Sequence, residues 1–271
     1  MRRRVEIDCE FMGLYRICSA LVIIALFILS GCDRPGPDGP IVDETSVLEG
    51  SETQEVVAPI RIAVFQDKSG SVSWTKTPTL RAEEDFEPLF ARLRVAGGEL
   101  AFGLIADNSN RGLLRVRVQA PPLPPLRPTG NVFLVSRQME AFRHNEKIYR
   151  ELHDAWVTET DQRVGTFSKE LKSLLANPKL SRHSDVWGAV QRADLFLAEP
   201  DSASVQTSRI MILISDGIHN TTHPSVSVKS NAEFILVNGA ASIGTLAGMR
   251  ARQFESVESA FRYVAEKGGS E

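Results

Sequence analysis

Cysteine is nearly missing from this chain. Of 271 residues only Cys9, Cys18 and Cys32 are cysteine, all within the first 32 positions. No disulfide can staple the remainder, and no cysteine-based zinc site can form there. Surplus positive charge is missing too: 31 Lys and Arg stand against 34 Asp and Glu, a net charge of -3. Phosphate affinity needs clustered excess cation, so the composition argues against a nucleic-acid binder. Neither G-x-G-x-x-G nor G-x-x-x-x-G-K-[ST] occurs, and no nucleotide cradle is indicated. No apolar run reaches the roughly 20 residues that a membrane-spanning helix needs. What is present is 42% hydrophobic and 24% charged, the composition of a globular protein.

The N-terminus is an address. Arg2, Arg3, Arg4 and Arg16 precede the apolar run 21–29 (LVIIALFIL), which has the length of a signal-peptide core. Met12 is a second plausible start. Leu29-Ser30-Gly31-Cys32 comes next, and it resembles the lipobox of bacterial lipoproteins. The resemblance implies cleavage before Cys32 and lipidation of that cysteine. Two or more acyl chains anchor stably where one is marginal. An uncleaved anchor is the alternative. Asp33, next in line, resembles an inner-membrane retention signal and implies the periplasmic face of that membrane. Residues 33–58 carry seven acids against one arginine, with three prolines and three glycines. Few apolar groups, high charge and no period make this a tether. The expected organisation is a signal peptide at 1–31, a lipidated cysteine and acidic tether at 32–58, and one domain at 59–271.

That domain reads as α/β. Runs 60–65 (IRIAVF), 100–106 (LAFGLIA), 210–214 (IMILI) and 234–237 (FILV) are continuously apolar, as in strands covered on both faces. Residues 113–118 instead alternate Leu114, Val116 and Val118 with Arg115 and Arg117. One wet face suits an edge strand, antiparallel to its predecessor across the turn at 107–110. Helical patterns fill the gaps at 80–95 (with Pro88 a kink), 138–157, 167–175, 185–197 and 257–265. Alternating strands and helices predict a doubly wound, mostly parallel sheet with one antiparallel edge strand and helices on both faces. Such sheets bind ligands beyond the carboxyl ends of their strands, where the strand order reverses.

The first strand ends in Asp67-Lys68-Ser69-Gly70-Ser71, a carboxylate and two hydroxyls in one turn. These are hard oxygen ligands, suited to Mg²⁺, Mn²⁺ or Ca²⁺. The pattern resembles the D-x-S-x-S signature of von Willebrand factor type A domains, where it opens the metal-ion-dependent adhesion site. Two further elements stand in the order of that family. Run 210–214 ends in Ser215-Asp216-Gly217, and Ser184-Asp185 opens the helix at 185–197, with serine where the family has threonine. The resemblance covers about residues 59–268. It implies that Ser69, Ser71 and Ser184 coordinate through hydroxyls, and that Asp67 and Asp216 bind directly or through water. It implies metal-dependent capture of a protein partner that supplies a carboxylate, and no enzymatic activity. The competing expectation is a scaffold with an inert site, in which Asp67 and Ser69 cap a turn.

Other signals are weaker. Ser73-Trp74-Thr75-Lys76 matches the S-x-x-K of penicillin-binding enzymes, but Lys76-Thr77-Pro78 breaks the K-T-G element of a serine hydrolase. His219 and His223 lack the H-E-x-x-H frame of a zinc site and read as loop residues. The stretch 120–130 (APPLPPLRPTG) offers P-x-x-P spacings, read as a stiff connector or a docking ligand. Phe142, Tyr149, Leu152 and Trp156 form a stripe on the following helix. Core packing is its simplest reading, and a partner-docking element within an extended segment at about 120–180 is the sharper one.

Overall fold

The computed structural model describes residues 57–69, 80, 83–109, 112–128, 132–176, 181–201, 207–222, 224–237 and 249–267, with side chains of the long helix from residue 138 onward. The address segment, Cys32, nearly all of the tether, Ser71, Ser73, Lys76 and His223 lie outside the described residues. Six strands build one sheet: β1 (Ile60–Asp67), β2 (Gly98–Ile105), β3 (Leu114–Val118), β4 (Ser208–Ile214), β5 (Glu233–Val237) and β6 (Ala251–Phe254). Their order is β3-β2-β1-β4-β5-β6. β2, β1, β4, β5 and β6 run parallel, and β3 pairs antiparallel with β2 at the edge. The expected doubly wound architecture is present, and the strand order reverses between β1 and β4.

All eight residues of β1 are buried, which is what its unbroken apolar run requires. On one face Ile60, Ile62 and Val64 pack with Phe86, Leu89, Phe90 and Leu93, with Val164, Phe167 and Leu171, and with Phe261 and Val264. These come from α1 (Glu87–Ala96) and its 3-10 lead-in (Glu83–Phe86), α2 (Val132–Leu175) and α4 (Val257–Glu266). On the other face Ala63, Phe65, Met211 and Leu213 meet Val190, Ala193, Phe196 and Leu197 of α3 (Val186–Leu197). Each large apolar side chain so covered contributes about 1.5–3 kcal/mol. Phe86 sits at the centre, its ring within 6.4 Å of those of Phe90, Phe102, Phe167 and Phe261. Gly98 joins α1 to β2 at φ 130°, where a Cβ would lie 1.9 Å from the Ile60 carbonyl oxygen. No other residue fits so close an approach of β2 to β1.

Three expectations need correction. Pro88 does not kink a helix: it occupies the first turn of α1, after a 3-10 entry, where a missing N–H costs nothing. The helices expected at 138–157 and 167–175 are one, the 44-residue α2. The stripe on its first half is not core: Leu152 is 56% exposed, and no residue between 138 and 159 is buried. Only Trp156 of that stripe reaches the rim of the core.

Candidate functional site

The carboxyl ends of β1 and β4 lie side by side, with Gln66 opposite Ile214. The next residues along each strand are Asp67 on one and Ser215 and Asp216 on the other. Asp67 is 1% exposed. Its Oδ1 accepts the Ser69 backbone N–H at 2.8 Å, and its Oδ2 accepts the hydroxyls of Ser184 at 2.9 Å and Ser215 at 2.8 Å. Burial pushes the Asp67 carboxyl above its ordinary value, and the hydrogen bonds from Ser69, Ser215 and Ser184 offset that only in part. Among the described residues no Lys, Arg or His forms a salt bridge with it.

Ser184 reaches this point because Asp185 caps α3. Asp185 Oδ1 accepts the Gly188 N–H at 2.9 Å, the geometry of a helix N-cap. A Cβ on residue 188 would lie 2.1 Å from Asp185 Oδ2, so glycine there is part of the cap. The loop after β2 braces the same residue: Asp185 Oδ2 accepts the Ser109 N–H, Ser109 donates its hydroxyl to the Asp185 carbonyl, and the Asp185 N–H reaches the Ala106 carbonyl. Asn220 holds Ser184 from above, its Oδ1 accepting the Ser184 N–H at 2.5 Å. Asp216 is 2% exposed, its Oδ1 accepting the Ile218 N–H at 2.9 Å. The turn between them passes through Gly217 at φ 74°, a left-handed position that favours glycine.

The structure therefore brings Asp67, Ser69, Ser184 and Asp216 to the switch point of the sheet. Ser71 lies outside the described residues. Sequence reasoning missed Ser215, which bonds the central carboxylate directly, although its hydroxyl immediately precedes Asp216. It also missed Ser109 and Asn220, which come from irregular loops with no spacing signal. His219 places Nε2 3.3 Å from the Thr221 hydroxyl, a loop contact. Lys68 donates from Nζ to the Leu175 carbonyl at 3.1 Å, tying the Asp67 turn to the end of α2.

The donor set fits a hard cation. Ser184 and Ser215 direct their protons at Asp67, and the Ser215 oxygen also accepts the Gly217 N–H. Among the described residues no three His, Cys, Asp or Glu side chains cluster as a metal site, and the oxygens gathered here are two carboxylates and serine hydroxyls. No family model matches the chain, and no curated protein matches it. Two crystal structures of the pilus adhesin SpaC from Lactobacillus rhamnosus GG are similar to it. The open conformation does so at 13% identity and TM-score 0.33, covering 61% of this chain and 16% of that one. A second form does so at 11% identity and TM-score 0.39, covering 79% and 31%. The chain spans less than a third of the length of those adhesins.

Proposed function

We propose that this chain is an extracytoplasmic binding module: a von Willebrand factor type A-like domain that captures a protein partner through a divalent cation, Mg²⁺ or else Mn²⁺ or Ca²⁺. In this reading it is tethered to the membrane by lipid on Cys32 and catalyses no reaction. The observation that carries it is the buried Asp67 carboxylate at the β1–β4 switch point, ringed by hydroxyls and paired with no base among the described residues. Asp67, Ser69, Ser184 and Asp216 would hold the ion, with Ser71 as a further candidate. When bound, the ion supplies a Lewis-acidic position that a partner carboxylate can fill. Hydroxyls add no charge of their own, so the ligand set leaves that position electrophilic. Asp185, Ser109 and Asn220 hold Ser184 in place before any partner arrives, which lowers the ordering cost of capture.

One observation favours a second reading, a scaffold without metal. Both Asp67 oxygens already accept hydrogen bonds from the protein. Such a carboxylate can serve purely as a staple between three loops. Thermal melting separates the two readings. Under the first, Mg²⁺ or Mn²⁺ raises the melting temperature of the wild type over its value in EDTA, and Asp67→Asn abolishes the rise. A wild type that melts identically in EDTA, Mg²⁺, Mn²⁺ and Ca²⁺ refutes the first and leaves the second.

A further inference from the structure

The long helix α2 outruns its own domain. Val164, Phe167 and Leu171 pack on the sheet, and Trp156 donates its indole N–H to the Gln119 carbonyl at 2.9 Å, just after β3 ends. Between residues 138 and 156 the helix has two apolar faces. Phe142, Tyr149 and Trp156, spaced by seven, are half-buried. Phe142 lines a groove with Pro125 and Pro128 of the segment that follows β3. The second face holds Ala141, Asn145, Ile148, Leu152 and Ala155, and all five are exposed. Ile148 is 42% exposed and Leu152 56%.

The spacing of this second face is four, three, four, three. That is the repeat of a coiled-coil seam, which one neighbouring helix covers. A face that packs on a sheet is broader. Alanine at both ends admits a close neighbour, and isoleucine and leucine fill the middle. The asparagine is the kind of single polar residue that fixes register in such pairs. The same line continues through Glu159, Gln162 and Thr166, which border a groove beside β3, so the domain does not close the path of a second helix. Charge indicates which helix that is. From 141 to 150 the chain carries Arg143, Lys147 and Arg150 against Glu146, a net charge of +2. From 151 to 160 it carries Glu151, Asp154 and Glu159 with no Lys or Arg, a net charge of -3. A second copy laid antiparallel sets each positive half on a negative half, whereas a parallel copy opposes like with like.

We infer that this face is a homodimer seam: two copies of the chain pair antiparallel through α2, with Ile148 of each against Leu152 of the other. The two-fold axis then passes beside residue 150, and Lys147 of each copy lies nearest Glu151 of the other. The contact is isologous, so it closes at two copies and recruits no third. A seam of this length falls short of the standard interface of about 800 Å² per partner, so the pair is reversible and forms at micromolar concentrations. The inference is independent of the cation reading, because no residue of the seam belongs to the Asp67 site.

The test uses the full chain with Cys9, Cys18 and Cys32 changed to serine, at micromolar concentration in detergent. Single cysteines are then introduced, and copper phenanthroline oxidises neighbouring thiols to a disulfide. Glu151→Cys lies beside the axis and should link to its own copy. Ala141→Cys should not, because an axis at residue 150 sets the two thiols about 27 Å apart along the helices. A mixture of Asn145→Cys and Ala155→Cys chains should give the mixed dimer. Leu195→Cys on α3, 60% exposed, is the control and should stay monomeric. Leu152→Asp added to Glu151→Cys should remove most of the link and leave the circular dichroism unchanged, since Leu152 lies outside the core. A chain that neither links at 151 nor sediments as a dimer overturns the inference. Self-linking at 141 overturns it in favour of a parallel pair. Linking at 151 that survives Leu152→Asp overturns it too, since association then rests on another surface.

Discussion

Asp67→Asn is the perturbation that separates a cation site from a structural staple. Asparagine keeps Oδ1 for the Ser69 N–H and replaces Oδ2 by an amide that the Ser184 and Ser215 hydroxyls can accept. Alanine would instead strand three buried donors at about 1–3 kcal/mol each and confound the reading. Burial raises the Asp67 carboxyl, so its protonated form is the one the fold prefers. Without a cation, this group favours the folded state most below its unfolded value of about 3.9. That contribution is lost as pH rises through the raised folded value. At neutral pH in EDTA, Asp67→Asn should therefore melt no lower than wild type. A cation at 100 times its dissociation constant adds about 2.7 kcal/mol. For some 210 residues with about 2.1 cal/mol/K each, that is about 6 °C. The wild type should gain this shift in Mg²⁺ or Mn²⁺ and the variant should gain none. The wild-type gain should fade on acidification through the raised carboxyl value, because protons then compete with the ion. Differential scanning calorimetry reads all arms. A variant that melts well below wild type in EDTA, beside a wild type indifferent to cations, would refute the reasoning.

The fold implies four further outcomes. Phe86→Ala, which empties the centre of four ring contacts, should cost about 3–5 kcal/mol in urea unfolding. Gly98→Ala drives a Cβ into the Ile60 carbonyl and should abolish soluble expression, whereas alanine at Gly112, where nothing lies within 4 Å, should be silent. Ser215→Ala removes a donor to Asp67 and the acceptor of the Gly217 N–H, and should cost about 1–3 kcal/mol in EDTA unfolding measurements. Glu233 is raised by burial but held below its ordinary value overall by Lys267, Tyr263 and Arg252. Its stabilising share is present above the unfolded value of about 4.3 and lost as pH falls through the lower folded value. Glu233→Gln should cost up to about 1 kcal/mol at pH 7 and progressively less as pH falls through that lowered value, read by melting along a pH series.

Legibility in the sequence tracks burial. β1, β2, β4 and β5 announce themselves as unbroken apolar runs because helices cover both their faces, and β3 does so by alternation because one face is wet. β6 escaped notice: its four residues are Ala251, Arg252, Gln253 and Phe254, with Arg252 and Gln253 exposed on the sheet edge. The break expected within α2 had a physical cause. Residues 158–163 (TETDQR) carry no apolar stripe, and Gly165 lies just beyond them. The helix runs on through this polar stretch, where Arg163 pairs with Glu159 and the hydroxyls of Thr158 and Thr166 bond the carbonyls four residues before them. Hydrophobic periodicity cannot register such contacts. At the site, the residues on strand ends were legible because each strand delivers its next residues to the same edge of the sheet. Ser109 and Asn220 were not, because loop closure in space leaves no period in sequence.

The stripe on α2 shows why a correct period can support a wrong inference about packing. Phe142, Tyr149, Leu152 and Trp156 do share a helical face, and a period of 3.6 identifies that face without saying what covers it. For Val164, Phe167 and Leu171 the cover is the sheet. Ten to twenty residues earlier the helix has outrun the sheet, whose strands hold eight residues at most. A β-strand of eight residues is about 27 Å long, while 44 helical residues span about 66 Å. That mismatch alone dictates that over half of α2 lies beyond any face of the domain core. The only described chain that accompanies it is residues 119–128, whose own leucines remain exposed. The topology adds the last constraint. The helix is tied to the Asp67 turn at one end through Lys68, and the parallel bridge from Ser69 to Ser181 closes that loop just after the helix stops. The surplus length can then emerge only at the opposite rim, where residues 57–59 enter the fold.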